Sequence, residues 1–224
     1  MATYDLEEQE QLSAIRTWWQ MYGNLITGLA VAGAVAMVGW QGWQWHQRSQ
    51  AAQAAAIYTA LQEAAAANDA KKVKETAGAL LDSHGNTAYA AMGALLAAKV
   101  QVEAGDLKTA RAQLAWAADN ARDPALKDVA RLRLAQVMIE EKAYDEALKQ
   151  IEREPMEPFA ARYAEVRGDI FAAQGKRSEA KAAYQSALAK IGERAKKDGA
   201  QGADSAAAFN ELVQLKLDAL GDAQ

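Results

Sequence analysis

The stretch GDIFAAQGKRSEAKAAYQSALA, residues 168–189, decides the fold because it contains two helical segments joined by a short turn. Apolar side chains recur every three or four residues on each side of the sequence QGKRS, and this spacing places them on one helix face. Small residues stand at Gly168 and Ala180, where they let two helices approach closely. The stretch therefore predicts a helical hairpin with one apolar face.

Related hairpins precede this one along the chain. Residues 104–117 and 142–152 each place an alanine at the point occupied by Ala180, and residues 68–81 form a weaker copy with a valine there. These equivalent positions lie at intervals of 37, 37 and 33 residues: Val73, Ala110, Ala147 and Ala180. Such a period is typical of a solenoid, in which each hairpin buries its apolar face against its neighbours.

The last hairpin resembles the tetratricopeptide pattern G-x2-F/Y-x3-G-x4-A-x3-Y-x2-A. The residues that carry the resemblance are Gly168, Phe171, Gly175, Ala180, Tyr184 and Ala187. The copy around Tyr144 and Ala147 has Lys142 where glycine is usual, and the copy at 68–81 lacks both the glycine and the packing alanine. Four degenerate repeats, and three repeats preceded by an opening hairpin, both fit the sequence.

The repeats, which we assign to residues 48–192, are followed by a loop and a last helix. Three glycines between residues 192 and 205, and the absence of apolar periodicity there, predict a loop at 193–204. Residues 205–224 are predicted to form a C-terminal capping helix, with an apolar face made by Phe209, Leu212, Val213, Leu217 and Leu220. The alternative is that this helix folds back and fills the concave groove of the repeats.

Residues 17–47 have the composition of a transmembrane anchor. From Met21 to Trp40 the chain supplies about 20 mostly apolar residues, which as a helix match the thickness of the hydrocarbon layer. Amphipathic rings stand at both edges, as expected at a membrane interface: Trp18, Trp19, Tyr22, Trp40, Trp43 and Trp45. A cleaved signal and a buried core helix are the alternatives. The first is disfavoured by an acidic n-region and the second by tryptophans at both ends.

Two further features of the anchor leave alternatives open. Arg16 and Arg48 flank it, so the count of positive charges is tied and does not orient it. Gly28, Ala32 and Ala36 follow a four-residue spacing that lets transmembrane helices approach closely. Because alanine and glycine are frequent in this chain, chance composition also explains that spacing.

The composition excludes several classes of chemistry. The chain of 224 residues has no cysteine, two histidines and a formal net charge of −4, so it lacks thiol chemistry and the basic surface of a nucleic-acid-binding protein. We find no catalytic cluster, no phosphate-binding glycine loop and no metal-ligand spacing. The sequence therefore predicts a non-enzyme without catalytic, cofactor-binding or metal-binding residues.

Taken over essentially its full length, the chain closely resembles the YfgM family, bacterial inner-membrane proteins that associate with the Sec translocon. The specific parts are the start YDLEEQEQLSAIRTWW, residues 4–19, Gly23 and Asn24 ahead of the span, and the exit GWQGWQW, residues 39–45. The resemblance implies an acidic cytoplasmic tail at 1–16, one span in the inner membrane and a periplasmic repeat domain. It also implies partnership with SecYEG and the membrane-anchored periplasmic chaperone PpiD.

Function follows from the same resemblance. It implies a membrane-anchored interaction module that helps pass newly translocated envelope proteins to periplasmic chaperones. The alternative is a structural tether or assembly scaffold without client binding, with or without a stress-regulatory cytoplasmic tail. In the tetratricopeptide register the concave, client-facing surface is predicted to comprise Met92, Leu95, Lys99, Val102, Val129, Leu132, Gln136, Ile139, Arg162, Glu165 and Asp169. Six of the first eight are apolar, whereas the last three form a polar rim.

Overall fold

The computed structural model describes residues 4–198 and 203–221, and these are helical apart from short turns. The helices are α1 (Tyr4–Ala66), α2 (Ala70–His84), α3 (Ala88–Glu103), α4 (Leu107–Asn120), α5 (Pro124–Glu140), α6 (Tyr144–Gln150), α7 (Ala160–Ala173), α8 (Arg177–Asp198) and α9 (Ala203–Ala219), with a 3₁₀ turn at Glu157–Phe159. The chain divides into two compact units, Met1–Gln50 and Ala51–Gln224. The all-α fold class is thereby confirmed.

The first unit is helical wherever it is described, and the large apolar side chains described between residues 15 and 50 are exposed. The rings of Trp40 and Trp43 contact each other with centroids 5.4 Å apart and planes tilted by 44°, and the ring centroids of Trp18 and Tyr22 lie 5.9 Å apart. Among the described residues, no single helix is long and apolar enough to cross a membrane. Two segments of α1, Ile15–Leu25 and Thr27–Ala66, are bent by 40° relative to each other. Taken together, they are long and apolar enough by length and composition.

The second unit is built from four helical hairpins. Residues 51–66 of α1 pair with α2, α3 with α4, α5 with α6, and α7 with α8. In each pair we call the helix that comes first in the chain the first helix and the other the second helix. Buried alanines fill the seams, including Ala110, Ala147 and Ala180, each fully buried as the sequence predicted. α9 packs on α8 as α5 packs on α4, so it takes the place of a further first helix.

The four hairpin turns share one backbone geometry. Each has a residue with positive φ at the same point: Asn68, Gly105, Lys142 and Gly175, with φ of 54°, 79°, 60° and 74°. In each turn two amides bond back to the end of the first helix, as in Asp106 N to Gln101 O at 2.8 Å and Ala143 N to Met138 O at 2.8 Å. Because Asn68 and Lys142 adopt the conformation of the glycines, all four hairpins are repeats of one kind.

Close packing inside the last hairpin explains its small residues. A Cβ added at Gly168 would overlap the ring of Tyr184, which is itself buried. Ala180 is fully buried in the same cluster as Tyr184 and Ala187. The prediction that Gly168 and Ala180 allow the two helices of the hairpin to approach is confirmed.

The loop predicted at 193–204 is wrong at both ends, because α9 begins at Ala203 and α8 continues to Asp198. Its extra turns are held by contacts that sequence periodicity does not reveal. Arg194 Nη1 donates to the carbonyl of Pro158 at 2.8 Å, and Lys197 binds the carboxylate of Glu157 at 2.9 Å. Good helix formers at 193–197 support the extension. Residues 199–202 of the predicted loop lie outside the described residues.

Candidate functional site

The predicted concave residues lie on the first helices α3, α5 and α7, and apart from the exposed Met92 the structure divides them into three groups. One group lines an open groove, a second belongs to the core, and the third is covered by α9. The division follows from which neighbouring helix packs over each position. It decides which of the predicted residues remain available to a partner.

The open groove runs between α3 and α5 and has a volume of about 280 Å³. We call it the α3–α5 groove, and its lining comprises Ala98, Lys99, Val102, Glu103, Leu114, Arg133, Gln136, Val137 and Glu140. Ala98, Leu114 and Val137 are buried and form an apolar floor. Three predicted residues, Lys99, Val102 and Gln136, take part in this lining.

The rim of the α3–α5 groove carries two positive and two negative side chains. Lys99 lies 3.8 Å from Glu103 on α3, an exposed pair of small energetic value. Arg133 on α5 reaches across to α3, where its Nη1 donates to the carbonyl of Leu95 at 3.5 Å. With Glu140 the four charges balance, so the groove offers an apolar floor inside an electrically neutral polar rim.

Leu95 was predicted to face the groove, and this prediction is wrong because the side chain is 7% exposed and belongs to the central core. Val129, Leu132 and Ile139 are half-buried and pack against the same core, and they are absent from the groove lining. Met92 is exposed at the surface of α3 outside the groove. The apolar residues of the predicted concave surface thus serve mainly to pack the hairpins together.

The third group lies on α7, where α9 packs against it; Glu165 is buried there, whereas Arg162 stays exposed. Lys216 Nζ binds Glu165 Oε1 at 2.7 Å and Asp169 Oδ2 at 2.7 Å, and Tyr184 OH donates to Asp169 Oδ1 at 2.8 Å. Arg162 donates to Glu165 Oε2 at 3.1 Å and stacks over the ring of Phe209 at 3.9 Å. Because Glu165 is buried, the prediction that it forms an open polar rim is wrong.

The electrostatics of this covered cluster follow from burial and pairing. Burial alone would lower the pKa of Lys216, but hydrogen bonds and attraction from Asp169 and Glu165 raise it above its ordinary value. Burial, the hydrogen bond to Asp169 and nearby negative charge all raise the pKa of Tyr184. At neutral pH the cluster therefore holds a charged lysine against two carboxylates.

The position of α9 answers whether the C-terminal helix fills the concave groove. Val213 is fully buried in a cluster made with α7 and α8, against which Phe209 and Leu217 also pack. No residue of α9 lines the α3–α5 groove. The C-terminal helix therefore caps the last repeat and leaves the groove between α3 and α5 open.

Sequence reasoning missed a buried polar cluster at the junction of α5 and α7. The Asp128 carboxylate accepts hydrogen bonds from Tyr163 OH at 2.9 Å and from the Met156 amide at 2.8 Å, and Arg131 lies 3.4 Å away. Burial, then the bond to Asp128 and its charge, raise the pKa of Tyr163. The cluster fixes the chain between α6 and α7. Its only sequence signal was an aspartate on an otherwise apolar face.

The residues singled out in the predicted anchor are exposed. The six aromatic residues at its edges are all exposed in the structure: Trp18, Trp19, Tyr22, Trp40, Trp43 and Trp45. Gly28 has nothing within 4 Å of an added Cβ, and Ala32 and Ala36 are exposed. No group of three or more histidines and carboxylates that could hold a metal ion occurs in the part of the chain that the structure describes.

Comparison with known proteins identifies the family. Residues 16–222 match the family described as a tetratricopeptide repeat-like domain. A Neisseria gonorrhoeae protein named Ancillary SecYEG translocon subunit is 30% identical over 217 residues, which cover 96% of this chain and 98% of that protein. The Haemophilus influenzae protein of that name is 32% identical, with coverage of 82% and 90%, and the Escherichia coli protein is 26% identical, with coverage of 95% and 96%. The chain belongs to the family of ancillary SecYEG translocon subunits with a tetratricopeptide repeat-like domain.

Proposed function

We propose that the protein is a non-enzymatic interaction module, anchored in the bacterial inner membrane beside the Sec translocon, that helps pass newly translocated envelope proteins to periplasmic chaperones. The relatives named Ancillary SecYEG translocon subunit support the Sec association because they match this chain over most of both lengths. The resemblance to the YfgM family supports PpiD as the chaperone partner. A tail at 1–16 in the cytoplasm and repeats in the periplasm complete the proposed topology.

The α3–α5 groove is the observation that carries the client-binding part of this proposal. Its floor of Ala98, Leu114 and Val137 offers apolar side chains of a client a place to lose contact with water. Each well-buried side chain of that kind contributes about 1.5 to 3 kcal/mol before the cost of ordering the client. Weak, exchangeable binding of this size suits a protein that hands its client on.

The rim decides which clients fit. Groove residues that captured the charged end of a peptide would carry one sign of charge, whereas Lys99 and Arg133 here are balanced by Glu103 and Glu140. Gln136 adds a neutral amide that can donate to and accept from a peptide backbone. The proposed client is therefore an extended, predominantly apolar segment of an unfolded chain, recognised without regard to net charge.

The anchor is proposed to do more than tether the repeats. Tryptophans at both edges bury their rings in the lipid while the indole N–H stays hydrated, so they fix the depth of the span in the membrane. Gly28, Ala32 and Ala36 form a smooth strip for a neighbouring membrane helix. Replacing the three with leucine should weaken co-purification with SecYEG or PpiD and leave membrane insertion intact. Unchanged co-purification would show that the strip only reflects composition.

Site-specific photocrosslinking tests the client-binding proposal in cells. A photoreactive amino acid at Gln136, in the α3–α5 groove, should crosslink to envelope proteins during their translocation. The matched control is Gln185, an exposed glutamine on α8 that does not line the groove. Equal crosslinking from both positions, or none from Gln136 in a correctly inserted protein, would favour the alternative of a tether or scaffold without client binding.

A further inference from the structure

A second groove lies between α8 and α9 and is independent of the client-binding proposal. It has a volume of about 600 Å³. One wall is formed by Ile191, Gly192 and Ala195 of α8, and the other includes Ala207, Glu211 and Asp218 of α9. We call it the α8–α9 groove. The outer surface of a terminal helix in a solenoid is expected to be polar, yet Leu215 at the lip of this groove is 67% exposed.

The repeat architecture indicates what kind of element fits there. Second helices contact the following second helix through side chains: Lys74 on α2 binds Asp106 and Thr109 at the start of α4, and Arg111 on α4 binds Glu146 on α6. Each also packs on its own first helix. α8 and α9 present these same two surfaces, a second helix and the first helix that follows it. Within residues 4–198 and 203–221, no helix occupies the place of the next second helix.

The walls of the groove favour close approach of such a helix. Gly192, Ala195 and Ala207 carry at most one methyl group each, so a partner helix meets little side-chain bulk. An added Cβ at Gly192 would have nothing within 4 Å, which shows that the space in front of it is open. The same use of small residues lets α7 and α8 pack where Gly168 faces Tyr184.

The charges of the groove indicate the chemistry of the partner. Glu211 and Asp218 line it, and among the residues that the structure describes no lysine or arginine does. Lys216 on the same helix points to the other side, where Glu165 and Asp169 bind it. A second copy of this chain docked through the same surface would bring four carboxylates together without a countercharge, which disfavours a symmetric dimer here.

From this position and charge we infer that the α8–α9 groove is a docking site for a helix of a partner protein. That helix has an apolar stripe facing Ile191 and Leu215, and lysine or arginine at the stripe's edge facing Glu211 and Asp218. Docking completes a fifth hairpin whose first helix is α9. Binding of this kind buries an amphipathic helix face against apolar surface and adds charge pairing at the rim.

The test uses the full chain in lipid nanodiscs and a fluorescein-labelled helical peptide of about 18 residues with a leucine stripe and lysine edges, long enough to span α9. A second peptide has glutamate in place of lysine, and binding to empty nanodiscs is subtracted. By anisotropy, the lysine peptide should bind about tenfold more tightly than the glutamate peptide. Reversing both groove charges with Glu211→Lys and Asp218→Lys should invert this preference.

Two alanines that neighbour each other in sequence provide a matched control. Ala207 lines the groove and Ala208 does not, and both are exposed. Ala207→Leu should weaken binding of the lysine peptide about tenfold, and Ala208→Leu should leave it unchanged. Equal binding of the two peptides, equal effects of the two substitutions, or a dimer in light scattering that Ala207→Leu dissociates would overturn the inference.

Discussion

Two junctions join consecutive first helices, one between α3 and α5 and the other between α7 and α9. They differ in the side chains that stand at the predicted concave positions. At the first, Lys99, Val102 and Gln136 border an open groove of about 280 Å³. At the second, Glu165 and Asp169 are paired with Lys216 of the following helix. The comparison teaches that ion pairs reaching from the following helix close the second junction, whereas at the first junction the charged side chains stay at the rim of an open groove.

The largest effect on stability is expected where a predicted concave residue in fact belongs to the hydrophobic core. Leu95 is buried between the hairpins, so Leu95→Asp places an unpaired carboxylate in apolar surroundings. The free energy of unfolding should fall by about 3 kcal/mol or more, seen as a lower denaturant midpoint. Gln136→Asp, at an exposed position of the α3–α5 groove, is the control. A similar loss in both variants would contradict the distinction between core and groove.

Breaking the closed junction should have the next largest effect. Lys216→Met keeps most of the side chain's volume but leaves the buried carboxylate of Glu165 without its closest cation. Loss of these charge-assisted hydrogen bonds should cost about 2 kcal/mol. Hydrogen exchange should speed up in α9 and leave α3 and α5 unchanged. Asn210→Met, at an exposed site of α9, should leave exchange unaltered, and equal exchange in both variants would show that Lys216 does not hold the helix.

Alkaline pH should open the same junction. The pKa values of Lys216 and Tyr184 are both raised in the folded protein, so their stabilisation is present below their ordinary values near 10 and is lost as pH rises through the folded values. Thermal unfolding followed by circular dichroism should therefore show falling stability above about pH 10. Tyr184→Phe removes one of the two titrating groups and should therefore make thermal stability depend less steeply on pH. An unaltered profile would contradict the pairing described for Asp169.

The smallest effect compares two hairpin turns. Gly175 and Lys142 adopt the same positive φ, a conformation that strains a lysine and not a glycine. Lys142→Gly should therefore raise the free energy of unfolding by about 0.5 to 1 kcal/mol. Lys149→Gly, inside α6, is the control and should lower it, since glycine is unfavourable in a helix. Destabilisation by Lys142→Gly would indicate that the side chain has a role beyond the turn.

Much of the repeat fold was predictable because hairpin packing depends on residues close in sequence. The spacing of Ala110, Ala147 and Ala180 gave the period, and each is fully buried. Gly168 was correctly assigned to helix contact. The positive φ at Lys142 was not predicted, because the fold imposes it against the local preference of the residue.

The site was only partly predictable because periodicity places a residue on a face of its own helix and does not tell which neighbour covers that face. Lys99, Val102 and Gln136 were assigned to a groove that exists. Leu95 and Glu165 were assigned to the same surface, but the adjoining hairpin buries one and α9 the other. The contact between Glu165 and Lys216 joins positions 51 residues apart, beyond the reach of any local pattern.

The central claim is that the open junction of α3 and α5 binds apolar segments of unfolded clients. The most direct measurement is the affinity of the full chain, in nanodiscs, for a labelled extended apolar peptide, compared between Gln136→Trp, which fills the groove, and Gln185→Trp, its exposed counterpart on α8. Gln136→Trp should bind about tenfold more weakly with unchanged thermal unfolding, and Gln185→Trp should match the unsubstituted protein. Equal affinity in all three proteins would contradict the claim.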